Sequence, residues 1–219
     1  MARILMLSQV LPYPLDAGPK VRSYGMLRHL SRQHEVTLVA FTRADDTPAS
    51  IEHLRAHCHD LHCVPMRRSP ARNLRAGFDS IWTGRPVVIA RDDNAEMAGL
   101  LRRLCAATPF DVIHADQIST AGDGRLAAAC RPAATLLDEH NAVYLLASRM
   151  AAEEGGRLRR LLMRREAGAF RAYERGMCRA YDEVLAVTPE DRGHLLALYD
   201  GAEREAVAAK LTVVPICVD

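Results

Sequence analysis

No apolar run in these 219 residues approaches the roughly 18 residues of a membrane-spanning helix, which excludes an integral membrane protein of that kind. Nor is there an excess of charge of either sign: 29 lysines and arginines face 27 aspartates and glutamates, for a net charge of +2. Without a domain-wide basic field, nucleic acid is excluded as an obligatory partner. Cysteine is present but unpatterned. Cys58, Cys63, Cys105, Cys130, Cys178 and Cys217 are scattered, four of them in apolar or helical runs, which argues against a disulfide scaffold and for a reducing compartment. The ILML run near the N-terminus is too short for a signal peptide, and no cleavage-like site follows it. Internal repeats, low-complexity tracts and linkers are also lacking. The expectation is a soluble cytoplasmic chain of one large domain or two small ones.

What the sequence does hold is a recurrence of short apolar runs. Residues 3–8, 35–41, 61–66, 111–115, 135–139, 183–188 and 211–215 read as strands. They are nearly continuous in Val, Ile and Leu rather than alternating, the pattern of strands buried on both faces. Helices are expected at 20–33, 48–58, 93–107, 120–130 and 189–199, with a long helical segment over 141–180 that breaks at Gly155-Gly156. In 20–33, Val21, Tyr24, Leu27 and Leu30 form a stripe wide enough to cover one side of a sheet. Strands alternating with helices imply right-handed crossovers and an α/β, Rossmann-like open sheet, mainly parallel, with helices on both faces.

In such sheets ligands bind beyond the carboxyl ends of the strands. The segments there are polar: Gln9 to Lys20, His114 to Gln117, Asp138 to Asn141, and Thr188 to Asp191. The first is too long for a plain connection of about two to six residues. It is not a Walker loop, because Gly18 is followed by Pro19, Lys20 and Val21, and it is not a dinucleotide fingerprint, because it has one glycine. For the same reason a nicotinamide oxidoreductase is a weak reading. Gly18 reads as a helix N-cap with Pro19 at the first helical position. The free N–H groups that follow, with Lys20 and Arg22 nearby, would offer a small anion site. A helix cap on a surface loop is the plainer alternative.

Taken in order, PYPLDAGPKVRSYGMLRHL, HEVTLVAF, DVIHADQ, LLDEHNAVY, EVLAVTPED and LTVVPICVD resemble the N-terminal domain of family-4 retaining glycosyltransferases of the GT-B architecture. The resemblance covers the whole chain. It implies transfer of a sugar from a nucleotide-sugar donor to an acceptor with retention, with no metal or other cofactor required. It further implies a separate C-terminal domain that binds the donor and is absent here, so that the 219 residues are the acceptor-side half. In the family the first turn carries two glycines that approach the donor diphosphate and the acceptor. Gly18 matches the first, Pro19 replaces the second, and Ile216 and Cys217 replace the usual Asn-Gly of the hinge. A Cβ at position 18 would block that approach, and a β-branched residue would resist any positive φ needed there.

The resemblance makes His140 the catalytic candidate, a histidine reaching toward the donor sugar; a surface histidine capping the next helix is the alternative. Gly18, Lys20 and Thr188 are assigned to donor binding, although Thr188 with Glu190 and Asp191 reads mainly as a helix cap. Asp16, Arg22, His114, Asp116 and Asn141 are assigned to substrate binding, with Asn141 also the expected N-cap of the following helix. Asp138 and Glu139 would orient the loop.

Two further stretches call for a choice. HLRAHCHDLHC (53–63) is rich in ligand types, yet no second ligand pair follows and alternation would split neighbours between faces. A plain helix-to-strand junction is expected and no metal is assigned. RLRRLLMRR (157–165) carries five arginines on an amphipathic helix that could lie peripherally on an anionic membrane. The preferred alternative is a solvated basic face with its apolar stripe packed inward, since Glu153, Glu154 and Glu166 dilute the charge. A non-catalytic Rossmann-like binding or interaction domain remains the rival to the enzyme.

Overall fold

The computed structural model describes residues 1–66 and 68–216. Its strands are β1 (Arg3–Ser8), β2 (Glu35–Thr42), β3 (Asp60–Pro65), β4 (Val112–Asp116), β5 (Ala134–Glu139), β6 (Glu183–Ala186) and β7 (Leu211–Val213). All pair in parallel, in the order β3-β2-β1-β4-β5-β6-β7. The chain winds outward from β1 to β3, crosses back, and winds the other way from β4 to β7. The point of reversal lies between β1 and β4, where an open α/β sheet forms its crevice.

The helices are α1 (Gly18–Ser31), α2 (Pro48–Arg55), α3 (Pro70–Thr83), α4 (Val87–Asp92), α5 (Ala95–Ala107), α6 (Ala121–Cys130), α7 (Val143–Glu153), α8 (Arg157–Ala180), α9 (Pro189–Leu196) and α10 (Gly201–Ala209). Alternation along β1 shows how they divide. Ile4 and Met6 pack with Leu27 of α1 and Leu54 of α2, whereas Leu5 and Leu7 pack with Met97 and Leu101 of α5 and Ala127 of α6. The later strands are covered by α7 to α10 through Leu137, Val184, Phe170, Leu195 and Val207. The sheet is thus buried on both faces, as the continuous apolar runs require. No helix among the described residues is long and apolar enough to cross a membrane.

Several expectations are corrected. The helix of 20–33 starts at Gly18, so Ala17 is the N-cap and Pro19 stands at its second position. β6 and β7 stop at Ala186 and Val213; Thr188 is withdrawn from the strand because its side chain caps α9. Helices α3, α4 and α10 were not expected. The break at Gly155-Gly156 is present, between α7 and α8. Beyond it, the inward-packed stripe of 157–165 is not: Leu158, Leu161 and Leu162 are exposed.

Asn141 does not cap α7. That helix starts at Val143, and its first N–H groups donate across the structure to Glu174 of α8, Val143 N to Oε1 and Tyr144 N to Oε2, both at 2.7 Å. Glu139, on the opposite face of β5 from Asp138, is buried beside this carboxylate and Cys178. Burial, then the neighbouring Glu174 and Asp138 charges, push the Glu139 carboxyl well above its ordinary value. Burial also pushes Glu174 up to about 7, against the pull of its two backbone donors. Both values are raised in the folded state. Their contribution to stability is therefore full below pH 4.5 and is lost as the pH rises, for Glu174 through about 7. Glu139→Gln, a neutral isostere, should raise the melting temperature at pH 8 and change it little at pH 5. A melting-temperature gap that stays constant between those two pH values would contradict this account.

Candidate functional site

Parallel register brings Ser8, Asp116 and Asp138 side by side at the carboxyl ends of β1, β4 and β5. All three are fully buried, so each must find its partners within the protein. Helix α1 supplies several. The Asp116 carboxylate accepts from Ser8 Oγ (2.9 Å), from Ser23 Oγ of α1 (2.7 Å) and from His140 Nε2 (2.8 Å). Asp138 accepts from Arg22, the neighbour of Ser23: Nε reaches both carboxylate oxygens (2.9 and 3.1 Å) and Nη2 reaches Oδ1 (2.6 Å). The third guanidinium nitrogen, Nη1, donates to the carbonyl of Val214 beyond β7 (2.6 Å).

His114 is two residues before Asp116 and faces the same way. Its Nε2 lies 3.8 Å from Asp138 Oδ2, too far for a normal hydrogen bond, and is otherwise unpartnered. Burial would raise the Asp138 pKa, but His114 and the Arg22 guanidinium together hold its carboxyl below the usual range; at 3.8 Å His114 acts mainly through proximity. Directly after Asp116, Gln117 has φ 74° and ψ 156°, a conformation that glycine tolerates and other residues adopt at a cost of about 1–3 kcal/mol. Its N–H donates to the Asp138 carbonyl (2.9 Å), which holds the strained turn in place.

The structure brings Arg22, His114, Asp116 and His140 into one network. Gly18, Lys20 and Asp16 lie one turn away at the start of α1. Lys20 Nζ is paired with Asp16 (3.0 Å), and no side chain caps the helix. The preceding loop is pinned by Tyr13, whose ring stacks on His53 (centroids 3.9 Å apart), while Tyr24 Oη meets His53 Nε2 at 2.7 Å. His53 and His57 thus belong to an aromatic stack behind the loop. Gly18 is not in the left-handed region, and a Cβ there would meet nothing within 4 Å. The expected conformational demand for glycine is absent; only the approach of another molecule could require it. Thr188 Oγ1 accepts from Asp191 N (3.0 Å) and donates to Asp191 Oδ2 (2.7 Å). Neither Thr188 nor the exposed Asn141 touches the network among the described residues.

Asp116, Asp138 and His140 present possible metal-ligand atoms within 4.8 Å of one another. Their oxygens already receive Ser8, Ser23, His140 and Arg22, so a dication would have to displace a buried guanidinium. The cluster reads as an internal positioning network. With Nε2–H donated to Asp116, Nδ1 of the nearly buried His140 is left for a ligand at the sheet edge.

Over residues 17–216 the sequence matches the family described as glycosyl transferase 4-like domain. The chain belongs to this family. Its fold is that of one half of a GT-B glycosyltransferase. Sucrose-phosphate synthase of Thermosynechococcus elongatus superposes with a TM-score of 0.60 at 14% identity, over 97% of this chain and 48% of its own. HepE of Anabaena in complex with UDP-glucose gives 0.55 at 12%, over 100% and 45%. The lipopolysaccharide outer core galactosyltransferase WaaB gives 0.53 at 10%, over 97% and 45%. The chain therefore spans about half the length of the structures it resembles. No curated protein matches it by sequence.

Within this glycosyl transferase 4-like domain, the sequence reading missed Ser8, Ser23 and the strained Gln117. The signal for the first two was a small polar residue on an otherwise apolar strand and on an inward helix face. The ion pair is the energetic centre of the arrangement, since removing one partner of a buried pair costs about 3–5 kcal/mol, while replacing both by apolar groups is often near neutral. Arg22→Met should destabilise the protein by about that amount in urea unfolding, and Arg22→Met with Asp138→Leu should recover most of the loss. A double variant as unstable as the sum of the single ones would show that the two residues act separately.

Proposed function

We propose that this domain is the acceptor-side half of a retaining glycosyltransferase that moves a hexosyl group from a nucleotide-sugar donor to an acceptor in the cytoplasm, without a required metal. The observation that carries the proposal is the His140–Asp116 pair at the carboxyl edge, one turn of chain from the uncapped start of α1. Asp116 fixes the imidazole through Nε2 and presents Nδ1 to a hydroxyl of the donor sugar. The N-terminal N–H groups of α1 and Lys20 face the donor phosphates, where the helix dipole favours negative charge. Asp16, His114 and Asn141 contribute on the acceptor side, and Thr188 on the donor side through the turn that it caps. Arg22 acts indirectly, by holding Asp138 and the base of the crevice. The nucleotide itself is held by a second domain outside these residues, which is supported by the length of the structural relatives and by the UDP and UDP-glucose named for some of them.

Such a site works by positioning and preorganised electrostatics rather than by covalent chemistry. Losing one preorganised donor costs about 10²–10³ in turnover. In the enzyme completed by its donor half, His140→Ala should lower turnover by a comparable factor with little change in melting temperature. Asp116→Asn should share the defect, and full activity of His140→Ala would refute the assignment. Gly18→Val should leave the fold intact, because the space around it is open, yet abolish transfer; wild-type turnover would make the turn a mere connector. The 219 residues alone should bind a nucleotide sugar only weakly. Micromolar binding measured by calorimetry would overturn the division of labour and favour a self-sufficient binding domain.

A further inference from the structure

A cavity of about 920 Å³ lies between α3 on one side and α5, α6 and α8 on the other. Helix α3 faces it with Arg72, Arg75, Ala76 and Asp79, which recur at helical spacing, whereas Leu74, Phe78, Ile81 and Trp82 are exposed. Ala95 and Ala98 of α5 and Gly122 of α6 line the opposite wall with little side chain of their own. Neither His140 nor its buried partners line the cavity. The volume is that of a site for a small organic ligand, about 300–1,000 Å³. Its rim is cross-linked. Arg85 holds the Asp93 carboxylate with both terminal nitrogens (2.8 and 2.9 Å), and Arg72 donates to the Asp93 carbonyl.

Two polar groups in the wall lack partners. Tyr173 of α8 is 8% exposed, and its hydroxyl makes no hydrogen bond among the described residues. That hydroxyl lies among other lining residues: a Cβ at Gly122 would come within 3.2 Å of Oη, and Arg85 is near enough to act on it electrostatically. Buried polar groups are paired as a rule, so an orphan against a cavity points to an occupant. The Asp123 carboxyl, in the first turn of α6, has neither a hydrogen bond nor an ion pair among the described residues. Burial and the neighbouring Asp93 charge push it up to about 7, against the pull of Arg85. Charge then selects the ligand. Asp79 is taken by Arg75 (3.4 Å), Asp93 by Arg85, and Arg91 by Asp92 (3.0 Å). Arg72 and Arg125 have no carboxylate partner among the described residues; each donates to a backbone carbonyl, of Asp93 and Ala180. Two uncompensated guanidiniums outweigh one carboxyl, which excludes a cation and favours an oxyanion. Protonated Asp123 and the Tyr173 hydroxyl are further donors to that anion, whereas ionised Asp123 opposes it.

We propose that this cavity is a second binding site, for a small phosphate or sulfate ester held by Arg72, Arg125, Tyr173 and Asp123. It is separate from the His140–Asp116 site and does not depend on sugar transfer. No histidine lines it, so Asp123 is the lining group placed to titrate near neutrality.

Phenyl sulfate is the probe, because its single negative charge does not change near neutral pH. In nitrogen–proton correlation spectra it should shift the amides of Ala95, Gly122 and Asp123 and leave that of His140 in place. Affinity should rise about tenfold from pH 8.5 to pH 5.5, as Asp123 gains a proton and turns from a repelling charge into a donor. Asp123→Asn should remove that dependence and bind at pH 8.5 as the parent does at pH 5.5. Arg72→Gln with Arg125→Gln should weaken binding by about two orders of magnitude, about tenfold for each charge-assisted contact, with far-UV circular dichroism unchanged. Tyr173→Phe should weaken binding about threefold yet leave the melting temperature the same or higher, because the hydroxyl it removes has no partner within the protein. A lower melting temperature would show that the hydroxyl is spent inside the protein and would overturn its role. Absent shifts, equal shifts with uncharged benzyl alcohol, or an affinity indifferent to pH and to both arginines would each overturn the proposal. Shifts centred on His140 would do so as well, by placing the anion in the crevice. None of these readouts uses turnover, so the second site can fail while the glycosyltransferase reading stands, and the reverse.

Discussion

The buried pair of Arg22 and Asp138 is the constraint on which the carboxyl edge depends. Two charges removed from water are stable only if their geometry is good and their remaining hydrogen-bonding capacity is filled. Here Nε and Nη2 satisfy the carboxylate, and Nη1 is spent on the Val214 carbonyl. One side chain therefore fastens three distant parts of the chain: the first helix, the fifth strand and the segment leaving the seventh. Once Arg22 is fixed, Ser23 is fixed too, and its hydroxyl completes the shell of Asp116. Asp116 in turn orients His140. The order of dependence runs from a structural ion pair to the orientation of the His140 ring.

Much of this was legible in the residues. Seven apolar runs identified the strands because a sheet covered on both faces demands continuous hydrophobicity, and polar segments after them pointed to one edge. That His114, Asp116 and His140 would gather at that edge was legible because they stand at or just after the carboxyl ends of β4 and β5. That Arg22 belongs with Asp138 was not legible, since pairing across 116 residues leaves no local trace. Nor could the sequence reveal that Glu174, not Asn141, would cap α7. Local capping rules look to the residue just before a helix, whereas this cap arrives from a neighbouring helix 31 residues later.

Helices α3, α4 and α10 were hidden for different reasons. The stripe of α3 has the period of a helix, but it lies between prolines and arginines and its apolar side faces outward, so it did not read as core. α4 has six residues, too few for a period to emerge. α10 is rich in alanine and glutamate and buries only Val207 deeply, which leaves no broad apolar face to recognise. Local starts were nonetheless written in the chain. Ser69 before Pro70 accepts the N–H of Arg72 at the start of α3, and Gly84 ends that helix with φ 72°, a conformation suited to glycine.

The position of β1 has a consequence for how the molecule assembles. β1, β2 and β3 arise from the first third of the chain and can pair as it is made. β4 to β7 come later and wind the other way. The two groups share a single seam, β1 against β4, where Ser8 and Asp116 meet across 108 residues. Such a contact brings a large loop-closure cost, and non-local pairings of this kind slow folding. The crevice lies on that seam. A chain with only one half in place has neither the polar row nor the bound imidazole, so the site comes into being as a unit when the halves dock.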